Sequence, residues 1–197
     1  MNAGATSTVV TGGVALLERA MAYTLGGLLL VTPEAMSNPT PCDDWDLRAL
    51  LLHMNDSLLT LHQAIAVGHL DDDNDDDYGD PGLDPVASLR NRGCRMIGAW
   101  ANARDPGDIS IVDRVLTPGI VAAAGAVEVT VHGWDVARAC GQDRPVPRAL
   151  AEELLELCPL FVRDADRPTR FAPRVDLTPA LDSPSDRLVA FLGRDPG

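Results

Sequence analysis

No feature limits the fold of this chain more than the stretch Gly119 to Ala139, GIVAAAGAVEVTVHGWDVARA, which contains no proline and is followed closely by Gly141. Its Val127, Val129 and Val131 alternate as in a strand, whereas its alanines and its length suit a helix. The two conformations imply different chemistry. On a strand, Glu128 and His132 share a face roughly 13 Å apart, too far to hold one ion. On a helix, their Cβ atoms are roughly 6 Å apart, with Asp135 one turn further on. The uninterrupted length and a glycine placed as a C-terminal cap favour the helix. The β-branched run Val127, Val129, Thr130, Val131 opposes it by a few tenths of a kcal/mol per residue, which burial against other helices overrides.

Helical spacing recurs elsewhere. From about Ser7 to Leu30 the apolar positions Val14, Leu17, Met21, Leu25, Leu28 and Leu29 form a stripe, and Pro33 lies just beyond. In SNPTPCDDWD, Asp43, Asp44 and Asp46 are placed as N-caps or first-turn acids of a second helix reaching about Gly68. That helix carries the stripe Leu47, Leu50, Leu51, Met54, Leu58, Leu61, Ile65, with His53 on its flank. A third helix is predicted from about Pro85 to Asn102, with Val86, Leu89, Met96, Ile97 and Trp100 inward. A short β-prone piece, ISIVDRVL, follows it. A fifth helix spans about Pro147 to Arg163, and the tail ends in the amphipathic DRLVAFLG. The architecture expected is all-α: a helical bundle with a short β hairpin or loop excursion and an extra C-terminal helix.

At 197 residues the chain is long enough for one domain spanning 1–197 that buries roughly 70% of its unfolded surface. The net charge of −13, from 29 acidic and 16 basic residues, repels a phosphate backbone and argues against nucleic acid as a partner. No apolar run is judged to reach the roughly 20 residues of a membrane span. The first ten residues lack the positive charge of a secretory signal, so a cytoplasmic protein is expected. Cys42, Cys94, Cys140 and Cys158 are widely spaced, which suits buried, reduced thiols rather than a disulfide framework or a four-thiolate site. The run DDDNDDDYGD, residues 71–80, reads as a solvated loop, since no register supplies the Gly at position 6 and Glu at position 12 of a calcium loop.

On the helical reading Glu128, His132 and Asp135 form a polar ridge on an otherwise apolar helix. A carboxylate and an imidazole one turn apart can bind a divalent ion, and a third ligand must then come from another helix. Of His53, His62 and His69, His53 is best placed, in mid-helix beside the stripe. A hydrogen-bonded Glu128–His132 pair without metal fits the same spacing. Asp135 is the candidate catalytic residue, orienting His132 or accepting a proton from substrate, and a surface salt bridge with Arg138 or Arg48 is its structural alternative. Trp45, Trp100 and Trp134 read as core anchors.

PTPCDDWDLRALLLHM, residues 39–54, and EVTVHGWDVARACGQ, residues 128–142, resemble the two signature blocks of the mycothiol-dependent maleylpyruvate isomerase N-terminal family, within the DinB-like superfamily. The tail RFAPRVDLTPALDSPSDRLVAFLGRDP is similar to the ending of a single-domain branch described only as metal-binding. The resemblance implies a DinB-like four-helix bundle. It also implies a divalent ion, commonly zinc with nickel or iron as alternatives, on His53, Glu128 and His132. It further implies mycothiol, a low-molecular-weight thiol, as cosubstrate and an electrophilic small molecule as substrate, in transferase or isomerase-like chemistry. A non-catalytic metal-binding bundle is the alternative, and a homodimer is compatible with either. The isomerase has a second, C-terminal domain for which this sequence leaves no room, so the metal site rather than maleylpyruvate isomerisation is what the resemblance is expected to carry over.

Overall fold

The computed structural model describes residues 3–42, 45–66, 80–103, 109–111, 114–167 and 171–197. Asp43, Asp44, His69 and all of the acidic run except Asp80 lie outside the described residues. The elements in chain order are α1 (Ala3–Leu28), a 3-10 turn (Pro33–Ser37), α2 (Leu47–Ala66), α3 (Pro85–Asn102), β1 (Ile109–Ile111), β2 (Arg114–Leu116), α4 (Pro118–Ala139), α5 (Arg148–Phe161), a second 3-10 turn (Asp164–Asp166) and α6 (Pro184–Phe191). The contested segment is the helix α4. The β-prone piece is a two-stranded antiparallel hairpin in which Ile109 faces Leu116. The all-α bundle with its short β excursion and extra C-terminal helix is thus the fold.

Helix α4 opens with Pro118 at its first turn, where the missing N–H has no partner to lose. It closes on Gly141 in the left-handed conformation, the Gly141 N–H donating to Arg138 O and the Gln142 N–H to Ala137 O, both at 2.9 Å. Between these ends only Ile120, Ala124, Glu128 and Arg138 reach the surface. The β-branched run costs local propensity, and burial on nearly every side outweighs it. The expectation that no stretch has the makings of a membrane span is corrected here. Helix α4 is long and apolar enough by length and composition, with a mean hydropathy of 1.2, but 83% of that window is buried against the other helices.

The α1 and α4 pair packs backbone to backbone. A Cβ on Gly133 would lie 2.3 Å from Thr24 Oγ1 and 3.2 Å from Thr24 Cα, so only glycine permits the approach. Thr24 Oγ1 uses it to donate to Val129 O at 2.8 Å. Helix α2 starts where Asp46 Oδ1 accepts from the Ala49 N–H at 2.8 Å, and α3 where Asp84 Oδ1 accepts from the Ala87 N–H at 2.9 Å, ahead of Pro85. The predicted stripes supply the core: Leu17, Met21 and Leu28 from α1, Leu47 to Leu61 from α2, and Leu89, Met96 and Trp100 from α3. Leu29 departs from its predicted place, at 76% exposure, because α1 stops at Leu28 and the chain turns there. The thiols depart as well: all four are free, but only Cys158 is buried and Cys94 is exposed.

Candidate metal centre

Helices α2 and α4 pack against each other with His53 of α2 facing the ridge of α4. His53 Nε2 lies 2.9 Å from Glu128 Oε1, and His132 Nε2 lies 3.3 Å from the same oxygen. Ser57, one turn beyond His53 on α2, donates to that oxygen at 3.3 Å. The ring centroids of His53 and His132 are 5.1 Å apart at 83°, so two imidazoles meet edge to face with a carboxylate between them. One ligand atom from each of His53, Glu128 and His132 falls within 4.8 Å of the others. Donor atoms around a tetrahedral zinc stand roughly 3.3 Å apart for bond lengths of 2.0–2.1 Å. The three residues therefore fit a divalent ion by both chemistry and spacing. His53 and Glu128 are 36% and 37% exposed and His132 only 7%, which leaves the cluster open on one side.

Asp135 lies behind His132. Its side chain has no exposed surface, and Oδ2 sits 3.0 Å from His132 Nδ1. Neither predicted partner reaches it. Arg138 stacks over Trp134 at 5.4 Å and donates to Gly197 O, while Arg48 donates to Gly82 O. The cation beside Asp135 is Arg194, from the chain's tail, with Nη2 3.0 Å from Oδ2 and Nε 3.3 Å from Oδ1. The predicted surface salt bridge is thus a buried two-pronged pair, because Asp135 stands on the inner side of α4.

The electrostatics follow from these contacts. Burial alone would raise the Glu128 carboxyl, but hydrogen bonds from His132 and His53 outweigh it and hold the group well below the usual carboxylate range. Burial alone would lower His132, and its bonds to Asp135 and Glu128 outweigh that, raising it to about 9. Burial opposes the charge on Arg194 too, and Asp135 overcomes it, raising the group further. Without an ion, the charged imidazolium of His132 bridges two carboxylates.

A second set of donors, Cys42, His132 and Asp135, also lies within 4.8 Å. Arg194 already supplies positive charge there, with Nη2 3.8 Å from Cys42 Sγ as well as bonded to Asp135. Of the other residues singled out, Trp100 and Trp134 are core anchors, and His62 is half-buried on α2, nine residues beyond His53. Trp45, expected in the core, is only partly buried and stands at the site, its ring 4.6 Å from that of His53 and 6.4 Å from that of His132. Sequence reasoning missed Ser57 and Arg194. The i, i+4 spacing of His53 and Ser57 on one helix could have revealed the first.

An all-α bundle in which a Glu-x-x-x-His pair on one helix meets a histidine on the next, open to solvent on one side, belongs to the class of DinB-like bundles that can hold a metal ion. Within that class the family assignment is direct. The family model described as mycothiol maleylpyruvate isomerase N-terminal domain matches residues 17–137, and the chain belongs to that family. The match includes His53, Glu128, His132 and Asp135 and stops short of Arg194. No curated protein and no solved structure matches the chain.

Proposed function

We propose that the protein holds one divalent ion, zinc before nickel or iron, on His53, Glu128 and His132, and works with a low-molecular-weight thiol, mycothiol, as a transferase or isomerase-like enzyme. The observation that carries this reading is the convergence of three donor side chains with two of them partly open to solvent, since a site with three protein ligands and a free side is the usual arrangement of catalytic zinc. When bound, the ion supplies positive charge that favours the thiolate form of a thiol and so its nucleophilicity. The chain's own residues do the rest. Ser57 donates to Glu128 Oε1, and the Trp45 ring backs that of His53. Asp135, which has no exposed surface, sits behind His132 and is placed to orient it. A cavity of about 10 Å³, room for about one water, lies beside Glu128 and His132 and is lined by Met21, Met54, Leu58 and Leu89. The cytoplasm, where thiols are kept reduced, suits this chemistry and the four free cysteines.

The test is elemental analysis by plasma mass spectrometry of untagged protein beside folded Glu128→Gln and His132→Ala variants. About one equivalent of metal in the wild type, lost in both variants, is expected. Thiol-dependent turnover of an electrophile, abolished in Glu128→Gln, then separates an enzyme from a non-catalytic metal protein. A wild type that stays metal-free after dialysis against zinc overturns the reading.

A further inference from the structure

The tail of the chain is built to deliver one side chain. Ser183 and Asp186 form a reciprocal capping box at the start of α6, with Ser183 Oγ accepting from the Asp186 N–H and Asp186 Oδ2 from the Ser183 N–H, both at 3.1 Å. At its other end the Gly193 N–H donates to Ala190 O at 3.0 Å and the Arg194 N–H to Val189 O at 2.9 Å, the pattern of a helix closed by a left-handed residue. Gly193 has φ +84, and a Cβ there would lie 2.6 Å from the Ala172 Cβ. Glycine at this position reverses the chain so that Arg194, only 10% exposed, enters the bundle beside Asp135. Its guanidinium is engaged on three sides: Nη1 donates to Leu192 O at 2.8 Å, Nε and Nη2 clasp the two Asp135 oxygens, and Nη2 faces Cys42.

Resting on the metal reading above, we propose that Arg194 is a positioning residue of the metal centre. It holds the Asp135 carboxylate in one orientation, Asp135 Oδ2 keeps the proton of the neutral His132 ring on Nδ1, and Nε2 is thereby left free on the side of Glu128 and His53. A carboxylate behind a metal-ligating imidazole fixes its tautomer and ring angle. Asp135 has no exposed surface, and beside the His132 ring itself the group bonded to its carboxylate is the Arg194 guanidinium. Arg194 lies beyond the segment that matches the family model.

The experiment is zinc competition against a chromophoric chelator for the wild type, Arg194→Gln and Arg194→Lys, with long-range proton–nitrogen correlation spectra of zinc-loaded wild type labelled at histidine nitrogen. The spectra should show His132 protonated at Nδ1 and ligated through Nε2. Arg194→Gln should bind zinc at least about tenfold more weakly. Arg194→Lys should recover part of the loss, since lysine restores the charge without the planar fork. A merely structural role would lower the melting temperature of the metal-free variants and leave zinc affinity of the folded proteins unchanged. Affinities of folded Arg194→Gln within twofold of wild type, or ligation of wild-type His132 through Nδ1, overturn the proposal. Should Arg194→Gln not fold, the lysine variant and the wild-type spectrum decide it. A wild type with no zinc affinity would instead overturn the metal reading on which the proposal stands.

Discussion

Proton and metal compete for His132, and the competition sets a pH dependence whose sign can be worked out. In the metal-free protein Glu128 and Asp135 raise this imidazole from 6.5 to about 9. Zinc needs the neutral ring, so below that value binding must expel a proton. Zinc affinity should therefore rise about tenfold per pH unit and level off near pH 9, being about a hundredfold weaker at pH 7 than on the plateau. Metal-free stability runs the other way. The charged ring contributes fully below its unfolded value of 6.5 and loses that contribution as pH rises through about 9, a ceiling on the order of 3 kcal/mol. Glu128, whose folded value is depressed, contributes above its unfolded value of 4.5 and loses this as pH falls further. Metal-free protein should thus be most stable between pH 4.5 and 6.5 so far as this pair decides it. Calorimetric melts with and without chelator-buffered zinc at pH 6, 7, 8 and 9 would show a gap in Tm that widens with pH. Titration calorimetry at pH 7.5 in two buffers of different ionisation enthalpy should count about one proton released from His132. Zinc affinity flat from pH 6 to 9, with no proton release, would refute the reasoning, because His132 would then be neutral before zinc arrives.

Two further outcomes test the packing that holds the centre. Gly133→Val drives a side chain into Thr24 and breaks the Thr24–Val129 bond, and should destabilise the bundle by about 1–3 kcal/mol in urea unfolding. An unchanged midpoint would show that α1 and α4 can separate at no cost. Trp45→Phe should reduce the fluorescence quenching caused by cobalt, since the Trp45 ring sits 4.6 Å from that of His53. Quenching of undiminished size in that variant would mean that the ion binds elsewhere.

What could be read from the residues follows the range over which each physical signal acts. The helical nature of α4 was accessible because freedom from proline, length and Gly141 are local features, and its β-branched run mattered little once burial on nearly all sides had outweighed propensity. Glu128 and His132 came from spacing along one helix. His53 was one of four histidines, favoured by its place on the α2 stripe and singled out further by resemblance of its block, because spacing cannot specify which helix will face α4. Trp45 looked like any core tryptophan, since the turn that brings it to His53 is a tertiary outcome. Asp135 is the most instructive case. Local spacing gives its bond to His132 and points to Arg138 for a salt bridge, yet the arginine that pairs with it is Arg194, 59 residues away, placed by the reversal at Gly193. A carboxylate with no exposed surface must be paired, because a buried charge without a partner is too costly to keep. An aspartate on the inner side of an apolar helix therefore announces that a cation is required. Which cation meets the requirement depends on the path of the tail, and that path is decided by a C-cap far along the chain.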